Sequence, residues 1–238
     1  MVIYLPSGLD FERIDAACRR LLHYIGGYEM LRGMVFVDHM NFDIAAKKLF
    51  KKEGTNVPRI DYNTFFGDIP SERKNITFTK TLIFAPKPDD FLMKDPVLTK
   101  YYKWVSGLES SKYIDVTWGR YIARPTQNNI PMSLDDRNSY YKVEKGTDIN
   151  LAIHLLTKAF YNSYDVAFVL SADTDYISVY KQLKNIGKIV IPVTVKGQNI
   201  SKLIPEVDDY IILGKDYFES HQRPDPAEEK EPEQPLSE

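Results

Sequence analysis

The stretch from Val166 to Tyr180 constrains the fold of this chain more than any other. A short apolar run starting at Val166 indicates a buried strand, and Ser171-Ala-Asp-Thr-Asp follows it directly. The next apolar residues recur at helical spacing, namely Tyr176, Val179, Tyr180, Leu183 and Ile186. Asp173 and Asp175 therefore stand where a buried strand passes into a helix. In an open parallel sheet, ligand sites form at this edge.

Two carboxylates this close in sequence raise an electrostatic problem. Like charges disfavour each other's ionised forms unless a cation lies between them. Oxygen ligands are those that a hard divalent ion prefers. The pair Asp173 and Asp175 is therefore the first candidate for a metal site.

Strand and helix patterns alternate along the rest of the chain. Apolar runs predict strands over 34–38, 77–85, 113–123, 166–171, 188–195 and 210–213. Helical spacing predicts helices over 41–52, 95–108, 148–160 and 176–186. Residues 54–75 and 124–139 are rich in Pro, Gly, Asn and Asp and are predicted as long loops. This alternation indicates an α/β fold with a mainly parallel sheet covered on both faces.

Two terminal segments differ from this pattern. An amphipathic helix is predicted over 10–28, and we assign 1–33 to an N-terminal helical extension. Residues 222–238 are rich in Pro and Glu, and we expect them to be disordered. The formal net charge is −2, and this tail carries six acids and two bases, or −4, so the rest of the chain carries +2. The predicted main domain then spans 34–215.

Cysteine content and hydropathy exclude several protein classes. Cys18 is the only cysteine, so the sequence contains neither a disulfide framework nor a thiolate zinc site. No secretory leader pattern and no apolar run long enough for a membrane helix are seen. We expect a cytoplasmic protein without membrane contact, and the sequence is compatible with a homodimer.

Three separate segments place acids at strand ends or helix starts. These are Asp38 with Asn41, then Asp148, then Asp173 with Asp175. Each acid alone is explained as a helix cap or a first-turn acid. Capping needs one acid per helix, however, and leaves the second acid of the last pair unexplained. A doubly wound sheet can bring all three segments to one edge.

The same three segments carry a family resemblance. Val37-Asp-His-Met-Asn41, Glu144-Lys-Gly-Thr-Asp148 and Ser171-Ala-Asp-Thr-Asp-Tyr176 resemble, in this order, the motifs of the NYN domain. This domain is similar to the PIN-like nucleases and includes the LabA-like bacterial proteins. The later segments 183–190, 201–203 and 208–213 agree as well. The resemblance covers about 34–213 and implies a Rossmann-like, three-layer αβα fold of the PIN-like type.

The resemblance also implies metal-dependent hydrolysis of RNA by an endoribonuclease. It implies that Asp38, Asp148, Asp173 and Asp175 are catalytic and hold one or two Mg²⁺ or Mn²⁺ ions. Asn41 would bind substrate or orient Asp38, and Ser171 would fix the loop or a metal-bound water. A bound ion can activate water and stabilise a leaving oxygen, so no side-chain nucleophile is required.

Cations and aromatic residues near the predicted loops are candidates for binding single-stranded RNA. We assign substrate contacts to Arg120, Arg124 and Lys145. Four aromatic residues either stack on unpaired bases or pack beneath the loops, namely Tyr62, Phe65, Phe66 and Tyr140. The lysines at 47, 48, 51 and 52 are explained by the negative end of the helix dipole, with phosphate binding as a secondary interpretation.

Two other functions remain open at this point. A phosphatase of the haloacid dehalogenase type also uses a strand followed by Asp-x-Asp, which Asp173 and Asp175 imitate. The residue after Asp175 is Tyr rather than a small residue, and the motif comes late in the chain, which argues against this function. A catalytically silent RNA-binding protein is the other alternative.

Overall fold

A computed structural model describes residues 30–52 and 54–223 of the chain. The predicted N-terminal helix and the acidic tail beyond 223 lie outside these residues. The strands are β1 Leu31–Asp38, β2 Ile76–Pro88, β3 Ile114–Pro125, β4 Tyr140–Lys145, β5 Val166–Leu170, β6 Ile189–Val195 and β7 Ile211–Leu213. The helices are α1 His39–Lys51, α2 Tyr62–Gly67, α3 Pro96–Gly107, α4 Thr147–Phe160, α5 Ile177–Asn185 and α6 Lys215–Ser220.

The seven strands form one sheet in the order β4-β3-β2-β1-β5-β6-β7. All neighbours are parallel except β3 and β4, so the predicted α/β fold with a mainly parallel sheet is confirmed. From β1 the chain builds the sheet outwards through β2 and β3, and after β4 it returns to place β5 beside β1. The carboxyl ends of β1 and β5 therefore flank the point where the strand order reverses, which is where open α/β sheets bind ligands.

Helices cover both faces of the sheet because the central strands are apolar on both sides. Val35 and Val37 of β1 face a core that includes buried side chains of α1, α2, α3 and α6. Met34 and Phe36 face the opposite core, which includes buried side chains of α4 and α5. None of the helices in the described part of the chain has the length and apolarity needed to cross a membrane.

The prediction of one long loop over 54–75 was wrong in part. Residues 62–67 form α2, and a 3-10 helix follows at Ile69–Glu72. Asp61 caps α2 by accepting a hydrogen bond from the Asn63 N–H at 2.8 Å. Phe65 and Phe66 are fully buried against the sheet. Because Gly, Pro and Asn residues are scattered through this stretch, its sequence pattern did not predict the short helix. Burial of its aromatic side chains stabilises the helix, rather than a high helix propensity.

The strand predicted over 77–85 continues through Pro86 and Pro88. Pairing of β2 with β1 ends at Phe84, whereas pairing with β3 continues to Pro88. The prolines therefore lie where β2 has a neighbour on one side only, and a missing backbone N–H is tolerated there. Two further elements, β4 and α6, were not predicted. The short edge strand β4 is half-exposed and lacks an apolar run.

A charged pair joins the start of β1 to the residue before β5. The Arg32 guanidinium donates hydrogen bonds to both carboxylate oxygens of Asp165, at 3.0 and 2.9 Å. It also donates to the Asn162 carbonyl oxygen at 2.7 Å. This arginine therefore lowers the pKa of the Asp165 carboxyl group against the opposing effect of burial.

We expect Arg32→Ala to lower the free energy of unfolding by about 1–2 kcal/mol, because it removes hydrogen bonds to a charged group. Lys80→Ala, which breaks a more exposed ion pair with Asp115, should cost less than about 1 kcal/mol. Urea denaturation of both variants measures the difference. Equal effects would show that the Arg32 contacts add nothing to an ordinary surface pair.

Candidate active site

Asp38 is the last residue of β1 and caps the start of α1. One of its carboxylate oxygens accepts a hydrogen bond from the Asn41 N–H at 3.1 Å. The other oxygen accepts one from the Ser171 hydroxyl at 3.1 Å. The residue is only 6% exposed. Asp38 is therefore both a helix cap and a buried carboxylate in the crevice between β1 and β5.

Ser171 connects Asp38 to the segment that follows β5. The Ser171 hydroxyl donates a hydrogen bond to Asp38, and its oxygen accepts one from the Asp173 N–H at 3.1 Å. The Asp173 carboxylate in turn accepts one from the Asp175 N–H at 2.9 Å, which closes the turn at the start of a 3-10 helix. Asp173 is half-buried and Asp175 is exposed. The structure thus brings Asp38, Ser171 and Asp173 together and leaves the Asp175 side chain at the periphery.

Asp148 approaches the same crevice from the first turn of α4. The Tyr176 hydroxyl donates a hydrogen bond to one of its carboxylate oxygens at 3.1 Å. Tyr176 is buried, and burial together with the charges of Asp38 and Asp148 raises the pKa of its hydroxyl. The other Asp148 oxygen accepts no hydrogen bond from a described residue. Tyr176 therefore holds Asp148 toward the crevice with one carboxylate oxygen uncommitted.

Glu144, the penultimate residue of β4, is an acid that we did not assign to the site from sequence. The residue as a whole is exposed, but its carboxyl group is partly buried, and this burial and the Asp148 charge raise its pKa. Its charge also acts on Asp38. The signal for it was its position four residues before Asp148, which becomes informative only once β4 is recognised as a strand.

The raised pKa of Asp38 reflects both its burial and the neighbouring acids at this sheet edge. Burial, together with the smaller effect of the Asp148 and Glu144 charges, raises the pKa of its carboxyl group to about 7 against the opposing Asn41 and Ser171 hydrogen bonds. A carboxylate shifted in this way is stabilised by a nearby cation. Three acids from two distant segments of the chain, Asp38 on one and Glu144 and Asp148 on the other, therefore act on one another at the reversal point of the sheet.

The donor chemistry fits a hard divalent ion, since all the groups are carboxylate oxygens. Within the described ranges, however, no three acidic, histidine or cysteine side chains lie close enough together to form a metal-binding group. The carboxylates that would hold an ion are Asp38, Asp148 and Asp173, with Glu144 beside them. Closing them around an ion would require rotation of the more exposed side chains.

Asn41 contacts its own protein rather than open space. Its side-chain oxygen accepts hydrogen bonds from the Gln198 amide at 2.8 Å and from the Ala172 N–H at 3.4 Å. The Gln198 side-chain oxygen accepts one from the Val195 N–H at 2.8 Å. Asn41 therefore joins the loop after β5 to the loop after β6. These contacts involve neither substrate nor Asp38, which is held by the Asn41 backbone N–H instead, so both roles predicted for the side chain stay predictions.

The three cations assigned to substrate are exposed but stand apart from the acids. Arg120 and Lys145 are register partners across β3 and β4, and Arg124 lies four residues further along β3. Because residues alternate along a strand, Lys145 points away from the face on which Glu144 lies. No contact within the described residues joins these cations to the aspartates. The Arg120 side chain is exposed to solvent.

The aromatic residues suggested for base stacking are not available for it. Tyr62, Phe65, Phe66 and Tyr140 are all buried. His39, next to Asp38, is buried beside Tyr62. Its ring nitrogens lie 2.7 Å from the Tyr101 hydroxyl and 3.2 Å from the Tyr62 hydroxyl. Burial lowers the pKa of His39 to about 4, so the ring is neutral at physiological pH. It is a packing residue and not a metal ligand.

We expect Asp38→Asn to stabilise the metal-free protein at high pH. With a folded-state pKa of about 7 against 3.8 unfolded, ionisation of Asp38 lowers stability increasingly between pH 4 and 7 and fully above pH 7. At pH 8 the variant should gain about 2–4 kcal/mol relative to the wild type, with little gain at pH 4. Urea unfolding in EDTA at both pH values measures this. Equal stability at pH 8 would contradict the raised pKa.

Comparison with known proteins places the chain in a family. The family model for the NYN domain matches residues 32–214. A comparison with curated proteins gives no match. Among solved structures, the chain is similar to a protein of unknown function from Vibrio parahaemolyticus, with 13% sequence identity and a TM-score of 0.48 over 78% of this chain and 94% of that one. Because the family match spans most of its length, the chain belongs to the NYN domain family, which is a PIN-like nuclease family.

Proposed function

We propose that this protein is a ribonuclease that cleaves RNA phosphodiester bonds with Mg²⁺ or Mn²⁺. The observation that supports this most is the placement of Asp38, a buried carboxylate that feels the charges of Asp148 and Glu144 and shares Ser171 with Asp173. Membership of a nuclease family points to the same chemistry. The proposed ion ligands are Asp38, Asp148 and Asp173, with Asp175 in an outer position.

A bound divalent ion would supply an activated water and would stabilise the leaving oxygen of the phosphodiester bond that is cleaved. The protein's own residues position the carboxylates. Ser171 and the Asn41 N–H fix the two oxygens of Asp38. Tyr176 fixes one oxygen of Asp148. These contacts restrict the directions in which the acids face before any ion arrives.

The proposed substrate is single-stranded RNA, and the proposed reaction is internal cleavage. We propose that an extended strand crosses the carboxyl edge of the sheet between Asp38 and Asp148. Arg120, Arg124 and Lys145 remain proposed contacts for more distant phosphates. A cytoplasmic location and action as a monomer or homodimer complete the proposal.

The test is cleavage of an internally labelled, unstructured RNA by the purified protein in Mg²⁺, in Mn²⁺ and in EDTA. We expect products of intermediate length in one or both ions and none in EDTA. Isothermal titration calorimetry with Mn²⁺ gives an independent readout, in which the binding seen with the wild type should disappear in Asp38→Asn. Absence of both cleavage and Mn²⁺ binding would refute the proposal.

A catalytically silent RNA-binding protein is the second candidate. It is favoured by the absence, among the described residues, of three ligands near enough to hold one ion. RNA binding in EDTA that continues unchanged in Mn²⁺, without products, would support it. A phosphatase that uses Asp173 and Asp175 finds no support in the geometry, because the Asp175 side chain is exposed and has no contact with the other acids among the described residues.

A further inference from the structure

Five lysines from three separate elements line one continuous groove. We call it the lysine groove, formed by Lys48, Lys51 and Lys52 at the end of α1, Lys196 after β6 and Lys215 at the start of α6. It consists of two adjoining cavities of about 360 and 470 Å³ that share Leu49, Lys52, Lys196 and Gly197. The sequence alone explained the α1 lysines by the helix dipole, with phosphate binding as a secondary interpretation. Their convergence with Lys196 and Lys215 is not explained in that way.

The charge in the groove is strongly one-sided. Asp216 is the only acid in the lining given by the described residues. Lys48, Lys51, Lys52 and Lys196 are exposed and form no ion pair with a described acid. Clustered like charges produce a local positive potential that attracts anions. The groove therefore has the electrostatic character of a site for a polyanion.

The groove is tied to the candidate active site. Gln198 lines the groove and donates its hydrogen bond to Asn41, which also accepts from Ala172, the residue before Asp173. Lys196, Gly197 and Gly214 directly follow β6 and β7, so the groove lies at the same sheet edge as Asp38. Along α1, Lys48 lies seven positions after Asn41, or roughly 10 Å further along the helix axis. A polymer crossing the acids can therefore continue into the groove.

We propose that the lysine groove binds the phosphates of the RNA strand a few nucleotides away from the scissile bond. This inference rests on the proposed function and adds the path of the substrate. The lysine ammonium groups would act as point charges on successive phosphates. The groove has little aromatic lining, so the contacts are with the backbone and carry no base specificity. Affinity for RNA should therefore depend steeply on salt.

The test is binding of a fluorescein-labelled, unstructured RNA to the full chain in EDTA, measured by anisotropy at several salt concentrations. The triple variant Lys48→Ala/Lys52→Ala/Lys196→Ala should bind at least about tenfold more weakly at low salt. The slope of log affinity against log salt should fall by about 2, at about 0.7 for each phosphate that is no longer neutralised. Lys215 is left unchanged because its ammonium lies 4.8 Å from the centre of the Phe50 ring and supports packing.

A matched control removes the same charge elsewhere. Lys94→Ala/Lys100→Ala/Lys112→Ala changes three exposed lysines around α3 and should weaken binding less than about threefold. Replacing the three groove lysines with Arg should restore affinity, which separates charge from folding. Equal losses of affinity in the groove and control variants would overturn the inference. Displacement of RNA by poly-glutamate at equal charge would overturn it as well, in favour of an acidic protein partner.

Failure of this inference and failure of the proposed function give different results. If the wild type cleaves RNA and the groove variant binds it as well as the control does, the phosphate path is wrong and the nuclease proposal stands. If the wild type cleaves nothing but the groove variant alone loses affinity, the nuclease proposal is wrong and the groove is still an RNA site.

Discussion

Asp148→Asn is expected to lower the rate of RNA cleavage in Mn²⁺ by about 100-fold or more, because it removes a proposed ion ligand. The exchange keeps the shape of the side chain and an oxygen that can accept the Tyr176 hydrogen bond. Asp148 is exposed in the first turn of α4, so the fold should be retained. The defect should therefore appear in cleavage and in Mn²⁺ binding, with little change in the melting temperature.

Asp175→Asn is the matched comparison for this prediction. Asp175 is equally exposed and lies next to the same crevice, but only its backbone N–H contacts another acid. We expect its cleavage rate to stay within about threefold of the wild type, as for an exposed charge outside the ion ligands. If Asp175→Asn lost as much activity as Asp148→Asn, Asp175 would have to be counted among the ion ligands. Full activity in Asp148→Asn would remove the proposed site altogether.

Gly119→Ala should destabilise the protein more than any other substitution that we propose. A Cβ at this position in β3 would lie 2.1 Å from the Thr147 hydroxyl oxygen and 2.8 Å from the Thr147 backbone nitrogen. Because the second atom belongs to the backbone of α4, the helix itself has to shift. Overpacking of this kind costs about 3 kcal/mol. For a chain of this size, the melting temperature should fall by roughly 6–12 °C.

The same shift should disturb the site, since Thr147 immediately precedes Asp148. We expect weaker Mn²⁺ binding in Gly119→Ala even at temperatures where the protein is folded. Gly107→Ala at the end of α3 is the control, because nothing lies within 4 Å of a Cβ placed there. Its stability should change by less than about 1 kcal/mol. A melting temperature of Gly119→Ala within a degree or two of the wild type would contradict the close packing of α4 on β3.

Periodicity predicted the parts of the site that lie at the ends of strongly apolar elements. Asp38 and Asp173 follow strands buried on both faces, and such runs are recognisable in a sequence. Glu144 was missed because its strand is a half-exposed edge strand with alternating polar residues. Its proximity to Asp38 depends on long-range pairing, which local patterns do not encode.

The surroundings of the site were harder to predict for the same reason. The aromatic residues of α2 were assigned to a loop, where they would either stack on RNA bases or pack inwards, and the structure shows them buried beneath α1 and α3. The α1 lysines were explained within their own helix. Only the structure shows that Lys196, far along the chain, shares a groove with Lys52. Local patterns predicted the elements, and tertiary packing determined which of their surfaces are available to a ligand.

The hydrogen bond between Ser171 and Asp38 joins residues 133 positions apart in the chain. Contacts of such high sequence separation form late, because the entropy of a long loop must be given up before they can stabilise anything. A nascent chain that has not yet added β5 has neither Asp173 nor the hydroxyl that fixes Asp38. The proposed activity therefore cannot precede synthesis of most of the chain, and a fragment that ends before β5 would be inert toward RNA.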